Sequence, residues 1–201
     1  MTTDFELLDA WSSGSHEAGD ALLGRNFERL ARFFFNKVRN PDCEDLVQRT
    51  LLACVTSRDR FRRESSFRTF LFAIARNELR MHLRRTRPER TVDLSVDSLA
   101  DFGDGASTAV RHAREQSLLL DALRRLPVDT QLLLELRYWE ELDSDELSQM
   151  FEVDAVTIRT RLHRARRRLK AQIEALEASP SLRSEALGGF DTWARDLRDK
   201  R

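Results

Sequence analysis

The chain has 201 residues, 41% of them hydrophobic, and 34 Lys and Arg stand against 34 Asp and Glu for a formal net charge of zero. That balance excludes a uniformly basic nucleic-acid coat and an acidic disordered tail as descriptions of the whole chain. No apolar run approaches the roughly 20 residues of a membrane span, and MTTDFELLDAW at the N-terminus lacks the basic flank and apolar core of a signal peptide. A cytoplasmic protein without membrane insertion is expected.

The apolar period is helical almost throughout, and seven Gly and four Pro are few enough to allow long helices. A first helix is expected over 18–37, with Leu22, Leu23, Phe27, Leu30, Phe33 and Phe34 turned inward. Asn40-Pro41-Asp42 reads as a cap, a first-turn Pro and a first-turn acid. The helix that follows presents Leu46, Val47, Thr50, Leu51, Cys54 and Val55 as one apolar face. Another helix spans 66–85, with Phe67, Phe70, Leu71, Ile74 and Leu83 inward. The pattern breaks at Arg87-Pro88, and a polar stretch ending in Gly103-Asp104-Gly105 reads as a linker. Helical signal resumes at Ala109 and runs to Lys170, with interruptions at Leu126-Pro127, 140–143 and 152–154. The expected fold is all-α: two small helical domains, 1–86 and 109–172, a flexible linker at 87–108, and a C-terminal extension at 173–201.

Net zero charge is a sum of separated patches. Between Glu135 and Asp154 there are eight acids and only Arg137, whereas Arg159 to Lys170 holds seven bases and no acid. Within this contrast, 144–151 reads as a short helix offering Leu147, Met150 and Phe151 to a core, followed by a turn at 152–154. Asp154 is a suitable N-cap for the next helix. Projected at about 100° per residue, that helix gathers Ile158, Leu162, Ala165 and Leu169 on one side. Thr157, Thr160, His163, Arg164 and Arg167 lie opposite, flanked by Arg159, Arg161 and Arg168. Such a helix suits the major groove, where Arg can meet guanine O6 and N7 and further Arg can hold phosphates. The competing reading is a solvated basic face.

In the first half, Phe61 to Arg85 interleaves Phe with seven Arg, the combination that single-stranded nucleic acid needs for stacking and for its backbone. Core packing accounts better for Phe67 and Phe70. The loop with Arg62, Arg63, Ser65 and Ser66, and the polar helix face with Arg76, Asn77, Arg80 and Arg84, are the better candidates for DNA.

This segment, FRRESSFRTFLFAIARN, resembles the promoter-reading region of bacterial RNA polymerase sigma factors, where FRGESSFRTWLYRIARN-like sequences recur. CEDLVQRTLLA, from Cys43 to Ala53, resembles the helix with which those proteins grip the polymerase clamp, and the final helix-turn-helix is similar to their second DNA-reading domain. Two domains and a short linker are the pattern of the extracytoplasmic-function group. The resemblance implies that Asp45 and Gln48, with Glu44 and Arg49 beside them, bind core RNA polymerase. It implies that Ser65, Ser66 and Asn77 hold a flipped base of the −10 element of promoter DNA. It further implies that Arg159, Thr160, Arg161, His163 and Arg164 read the −35 element. An anti-sigma factor is an expected partner. No cofactor, metal or small-molecule substrate is expected, and no enzymatic activity. Arg63 and Glu152 stand where the family often has Gly. If the backbone at Glu152 needs positive φ, that costs on the order of 1 kcal/mol.

An autonomous helix-turn-helix repressor is the alternative, but it leaves the clamp-like helix unexplained. If Cys43 and Cys54 lie on one helix they are about 16 Å apart, beyond disulfide reach, and the four His show no metal-ligand spacing. Beyond the resemblance, Leu187, Phe190, Trp193, Ala194 and Leu197 form a short amphipathic stripe.

Overall fold

The computed structural model describes residues 2–35, 37–38, 40–86, 93–94 and 114–176. They form α1 (Asp4–Ser12), α2 (His16–Phe35), α3 (Asn40–Ser57), a 3-10 turn (Arg58–Arg60), α4 (Phe67–Thr86), α5 (Arg114–Arg124), α6 (Val128–Tyr138), α7 (Ser144–Phe151) and α8 (Ala155–Ala175), with no strand among the described residues. The chain divides into two compact units, Met1–Pro88 and Glu89–Arg201. Most of the stretch expected as linker, and the apolar stripe after Pro180, lie outside the described residues.

In the first unit α1 packs on α2, and α3 lies against both α2 and α4. Helix α1 begins with a capping box: the Thr3 N–H donates to Glu6 Oε2 at 2.6 Å, and the Glu6 N–H donates to Thr3 Oγ1 at 3.2 Å. At the other end of α2 the buried Lys37 donates from Nζ to the Phe33 carbonyl at 2.5 Å, satisfying a terminal acceptor. The core joins Leu22, Leu30 and Phe34 to Phe67, Leu71, Phe72 and Leu79, all nearly inaccessible. Phe33 meets Phe34 edge-on at 5.0 Å and Phe72 at 5.5 Å, the aromatic geometry that adds to plain burial.

Several expected core positions differ. Phe27 is 49% exposed while Asn26 is buried. Leu22, Asn26 and Leu30 follow one another at i, i+4 and i+8, the row that points inward whatever its chemistry. Asn26 is tolerated there because its Nδ2 donates to the Leu22 carbonyl at 2.9 Å. On α3 the row Val47, Leu51, Val55 passes from buried through half-buried to 38% exposed, so the apolar face is narrower than its composition. Phe70 is half-buried and stacks on Phe61 with ring centroids 4.7 Å apart.

The second unit wraps α5, α6 and α7 around α8, which each of them contacts. Leu147, Met150, Phe151, Ile158, Leu162, Ala165 and Leu169 are all buried. Leu94 is buried as well, and its carbonyl accepts from the Asp129 N–H at 2.8 Å at the start of α6. This residue of the expected linker thus packs in the second unit.

Candidate polymerase and nucleic-acid interfaces

Along α3, every polar residue expected to meet polymerase is on one side. Glu44, Asp45 and Gln48 are exposed and Arg49 is half-exposed. Arg49 Nε donates to both Asp45 oxygens, at 3.0 and 2.9 Å, across one helical turn. A surface pair of this kind is worth only a few tenths of a kcal/mol, so the two charges remain available to a partner. Beside them runs a groove of about 510 Å³ between α2 and α3, lined by Phe27, Ala31, Phe35 and Val47 and edged by Glu44 and Gln48. One turn beyond Gln48, Leu52 is 65% exposed. Sequence reasoning singled out neither Phe27 nor Leu52 for this surface. The available signal was an apolar residue one step off the buried row.

The loop before α4 is built around Arg63, whose φ of 59° lies in the left-handed region. Its guanidinium donates to Asp9 Oδ1 on α1, a residue 54 positions earlier. Arg58 of the 3-10 turn lies over the Trp11 ring at 4.9 Å, so α1 touches this loop region at two points. Arg62 is exposed, while Ser65 and Ser66 are half-buried. The Ser66 hydroxyl accepts from the Thr69 N–H at 3.2 Å and lies 2.8 Å from Thr69 Oγ1, which makes it the cap of α4. Behind the loop, Phe61, Phe67 and Phe70 form one aromatic cluster. Phe67 closes the core, whereas Phe61 and Phe70 keep accessible surface. On α4, Asn77 and Arg84 are exposed, and Arg76 and Arg80 are half-buried.

The second unit presents its helix-turn-helix through two caps and one strained residue. Asp143 accepts from the Asp145 and Glu146 N–H groups at 2.8 and 2.9 Å, and Glu146 reaches back to the Asp143 N–H at 3.0 Å. Helix α7 then ends at Glu152, with φ 54° and ψ 44°. A left-handed conformation there costs a non-glycine residue about 1–2 kcal/mol. Asp154 starts α8 by accepting from the Thr157 N–H at 2.6 Å and the Thr157 hydroxyl at 2.8 Å. These bonds hold its carboxyl below the usual range. Arg159, Thr160, Arg161, His163, Arg164 and Arg167 are exposed, and Thr157 is half-exposed with its hydroxyl used by the cap. Arg161, Arg164 and Arg168 also line a cavity of about 220 Å³ with Asp129 and Thr130 of α6. Val156 is 62% exposed at the start of this face.

Among the described residues no group of three His, Cys, Asp or Glu side chains could hold a metal ion, and no helix is long and apolar enough to cross a membrane.

The family model "Sigma-70 region 2" matches residues 22–89 and "Sigma-70, region 4" matches 116–169, more than half of the chain between them. An ECF RNA polymerase sigma-E factor of Haemophilus influenzae is 26% identical over 184 residues, covering 87% of this chain and 97% of that protein. The sigma-E factor of Escherichia coli is 25% identical over 183 residues, covering 87% and 96%. The fold is similar to that of CnrH, solved in complex with the cytosolic domain of CnrY, at a TM-score of 0.62 and 23% identity over 86% of this chain and 97% of that one. It is also similar to the sigma factor RpoE of Bartonella quintana, solved with the anti-sigma factor NepR, at a TM-score of 0.58 and 23% identity over 79% and 96%. With both regions in order on an all-helical chain, the protein belongs to the sigma-70 family, in its extracytoplasmic-function group, and directs promoter-specific transcription with RNA polymerase.

Proposed function

We propose a division of labour along the chain. Residues 1–86 join core RNA polymerase through Glu44, Asp45, Gln48 and Arg49 on α3. The same domain takes the −10 element as a melted strand on the loop with Arg62, Arg63, Ser65 and Ser66 and on the α4 face with Arg76, Asn77 and Arg80. Residues 109–172 read the −35 element as duplex with Thr157, Arg159, Thr160, Arg161, His163, Arg164 and Arg167 of α8, and 87–108 tether the two. The polymerase performs the bond chemistry, so the factor needs neither cofactor nor small-molecule substrate, and it acts in the cytoplasm. An anti-sigma factor is the regulatory partner of this reading, since two proteins of the same fold were solved with CnrY and NepR bound.

The observation that supports the reading most is the outer face of α8. Val156, Thr160, His163, Arg164 and Arg167 are exposed opposite the buried Ile158, Leu162 and Ala165, and its bases follow an N-terminal turn fixed by Asp154. A helix held from behind and open in front is what entry into a major groove requires.

Run-off transcription with purified core polymerase on genomic fragments tests the assignment. Specific transcripts are expected, with Arg164→Ala weakening −35-dependent initiation and Asp45→Ala weakening core association. If each substitution lowered both readouts equally, the division would be wrong. A factor that fails to associate with core at physiological salt, yet binds a palindromic duplex as a dimer, would be a repressor.

A further inference from the structure

Val156 is the one large apolar side chain left exposed among the described residues of the second unit. It sits at the second position of α8, one turn before Thr160 on the same face. The Thr160 hydroxyl donates to the Val156 carbonyl at 3.1 Å. The Thr157 hydroxyl is spent on Asp154 at 2.8 Å. Neither threonine therefore has a free hydroxyl proton for an acceptor on a base. What the leading turn of the helix presents outward is the isopropyl group of Val156 and, beside the committed hydroxyl of Thr160, its γ-methyl. Arg159 flanks this turn, and His163, Arg164 and Arg167 follow further along the face.

In a helix-turn-helix, the N-terminal residues of the second helix are those that reach base edges. Among the groups on the major-groove edge, the one that rewards an apolar contact is the C5 methyl of thymine. We propose that Val156 and Thr160 form an apolar patch that reads thymine methyl groups in the −35 duplex, while the arginines behind them supply guanine and phosphate contacts. The inference rests on the assignment of α8 to the −35 element. It adds a specificity determinant, Val156, and a base class.

The experiment uses the full chain with core polymerase on a promoter whose −35 element has been mapped. Each thymine of that element is replaced singly by deoxyuridine, which deletes one methyl and leaves every hydrogen-bonding group in place. At one or two positions the deoxyuridine template is expected to lose about fourfold in initiation, the equivalent of the ~0.8 kcal/mol of one buried carbon. In the Val156→Ala factor the thymine-to-deoxyuridine ratio at those positions should collapse toward one. Alanine is the better helix former, so the helix itself is not weakened. Equal initiation on thymine and deoxyuridine templates everywhere, with −35 dependence intact, overturns the methyl reading alone. An undiminished ratio in Val156→Ala overturns the role of Val156. Indifference to a scrambled −35 element overturns the underlying assignment of α8.

Discussion

Two glycines five residues apart on α2 should respond to the same substitution with opposite signs. A Cβ on Gly24 would meet nothing within 4 Å, whereas a Cβ on Gly19 would lie 2.6 Å from Trp11 Nε1 and 2.8 Å from both Cδ1 and Cε2. Neither glycine has a left-handed backbone, so Ala fits the conformation at both sites. For Gly24→Ala only the propensity and unfolded-chain terms remain, and the first unit gains about 1 kcal/mol. At Gly19 the same gain meets an indole that is 5% exposed and cannot swing clear as the tip of a flexible chain would. Overpacking of this kind costs about 1–3 kcal/mol, so Gly19→Ala should be destabilising by about 1 kcal/mol net. Thermal unfolding of the full chain followed by helical signal measures the difference. A change of 1 kcal/mol moves the midpoint of a domain this size by roughly 4–8 °C, up for Gly24→Ala and down for Gly19→Ala. Stabilisation by both substitutions would refute the close packing of Trp11 on α2.

Glu152→Gly relieves the left-handed residue at the end of α7, worth about 1–2 kcal/mol, and adds unfolded-state freedom worth about 0.4–1 kcal/mol. A net gain of several tenths of a kcal/mol or more should appear in denaturant unfolding of the second unit, and a loss would contradict the geometry. Burial, ahead of the nearby Arg49 and Arg85, pushes His82 below the ordinary imidazole value of 6.5 despite Asp42 and Asp45. The unfolded chain therefore takes up this proton first. The full stability persists above about pH 6.5 and is lost as the pH falls through the folded value; His82→Gln should lose less of its melting temperature than the parent between pH 7.5 and 5.5. Burial pushes the Cys54 thiol up to about 12, so alkylation at pH 8 should leave it unmodified until the chain is denatured, as read by mass spectrometry. Asp9→Asn frees Arg63 from its partner, and the log–log salt dependence of single-strand binding should steepen by about 0.7, one phosphate contact; an unchanged slope would mean that Arg63 does not reach the strand.

The helices were legible because their signals are local. Asp154 as cap, the turn at 152–154, and the inward row of Ile158, Leu162, Ala165 and Leu169 all follow from spacing within one helix. What escaped the sequence depends on neighbours. Asn26 is buried and Phe27 exposed because position on the α2 surface outranks side-chain chemistry once a local hydrogen bond satisfies the amide. Leu94 packs in the second unit although its surroundings read as linker, and no periodicity could have announced a single residue docking on the start of α6. The ion pair of Asp9 with Arg63 joins residues 54 positions apart, a contact that no spacing within one helix could announce. The exposed face of α8 was projected correctly, but the use of its threonine hydroxyls within the helix and the exposure of Val156 needed side-chain coordinates.

The balance of 34 bases and 34 acids also acquires a spatial meaning. Segment sums suggested that acids and bases were merely kept apart. Several acids instead have structural duties on or beside the basic surfaces. Asp9 neutralises Arg63 in the loop before α4, Asp45 pairs with Arg49 on α3, and Asp154 stands at the first turn of the arginine-bearing α8, fixed there by two hydrogen bonds from Thr157. Asp143 and Glu146 cap α7 in the same way. Helix N-termini favour carboxylates for their own reasons, so the cap that starts α8 also sets negative charge close to its leading end. Within a Debye length of about 8 Å at physiological salt, that charge subtracts from the attraction of any phosphate backbone, whatever the sequence. The side chains behind it, His163, Arg164 and Arg167, are not paired with acids in this way among the described residues. On the proposed reading of α8, the factor's affinity for arbitrary duplex is held down by its own caps, and its useful binding waits until polymerase supplies the remaining contacts.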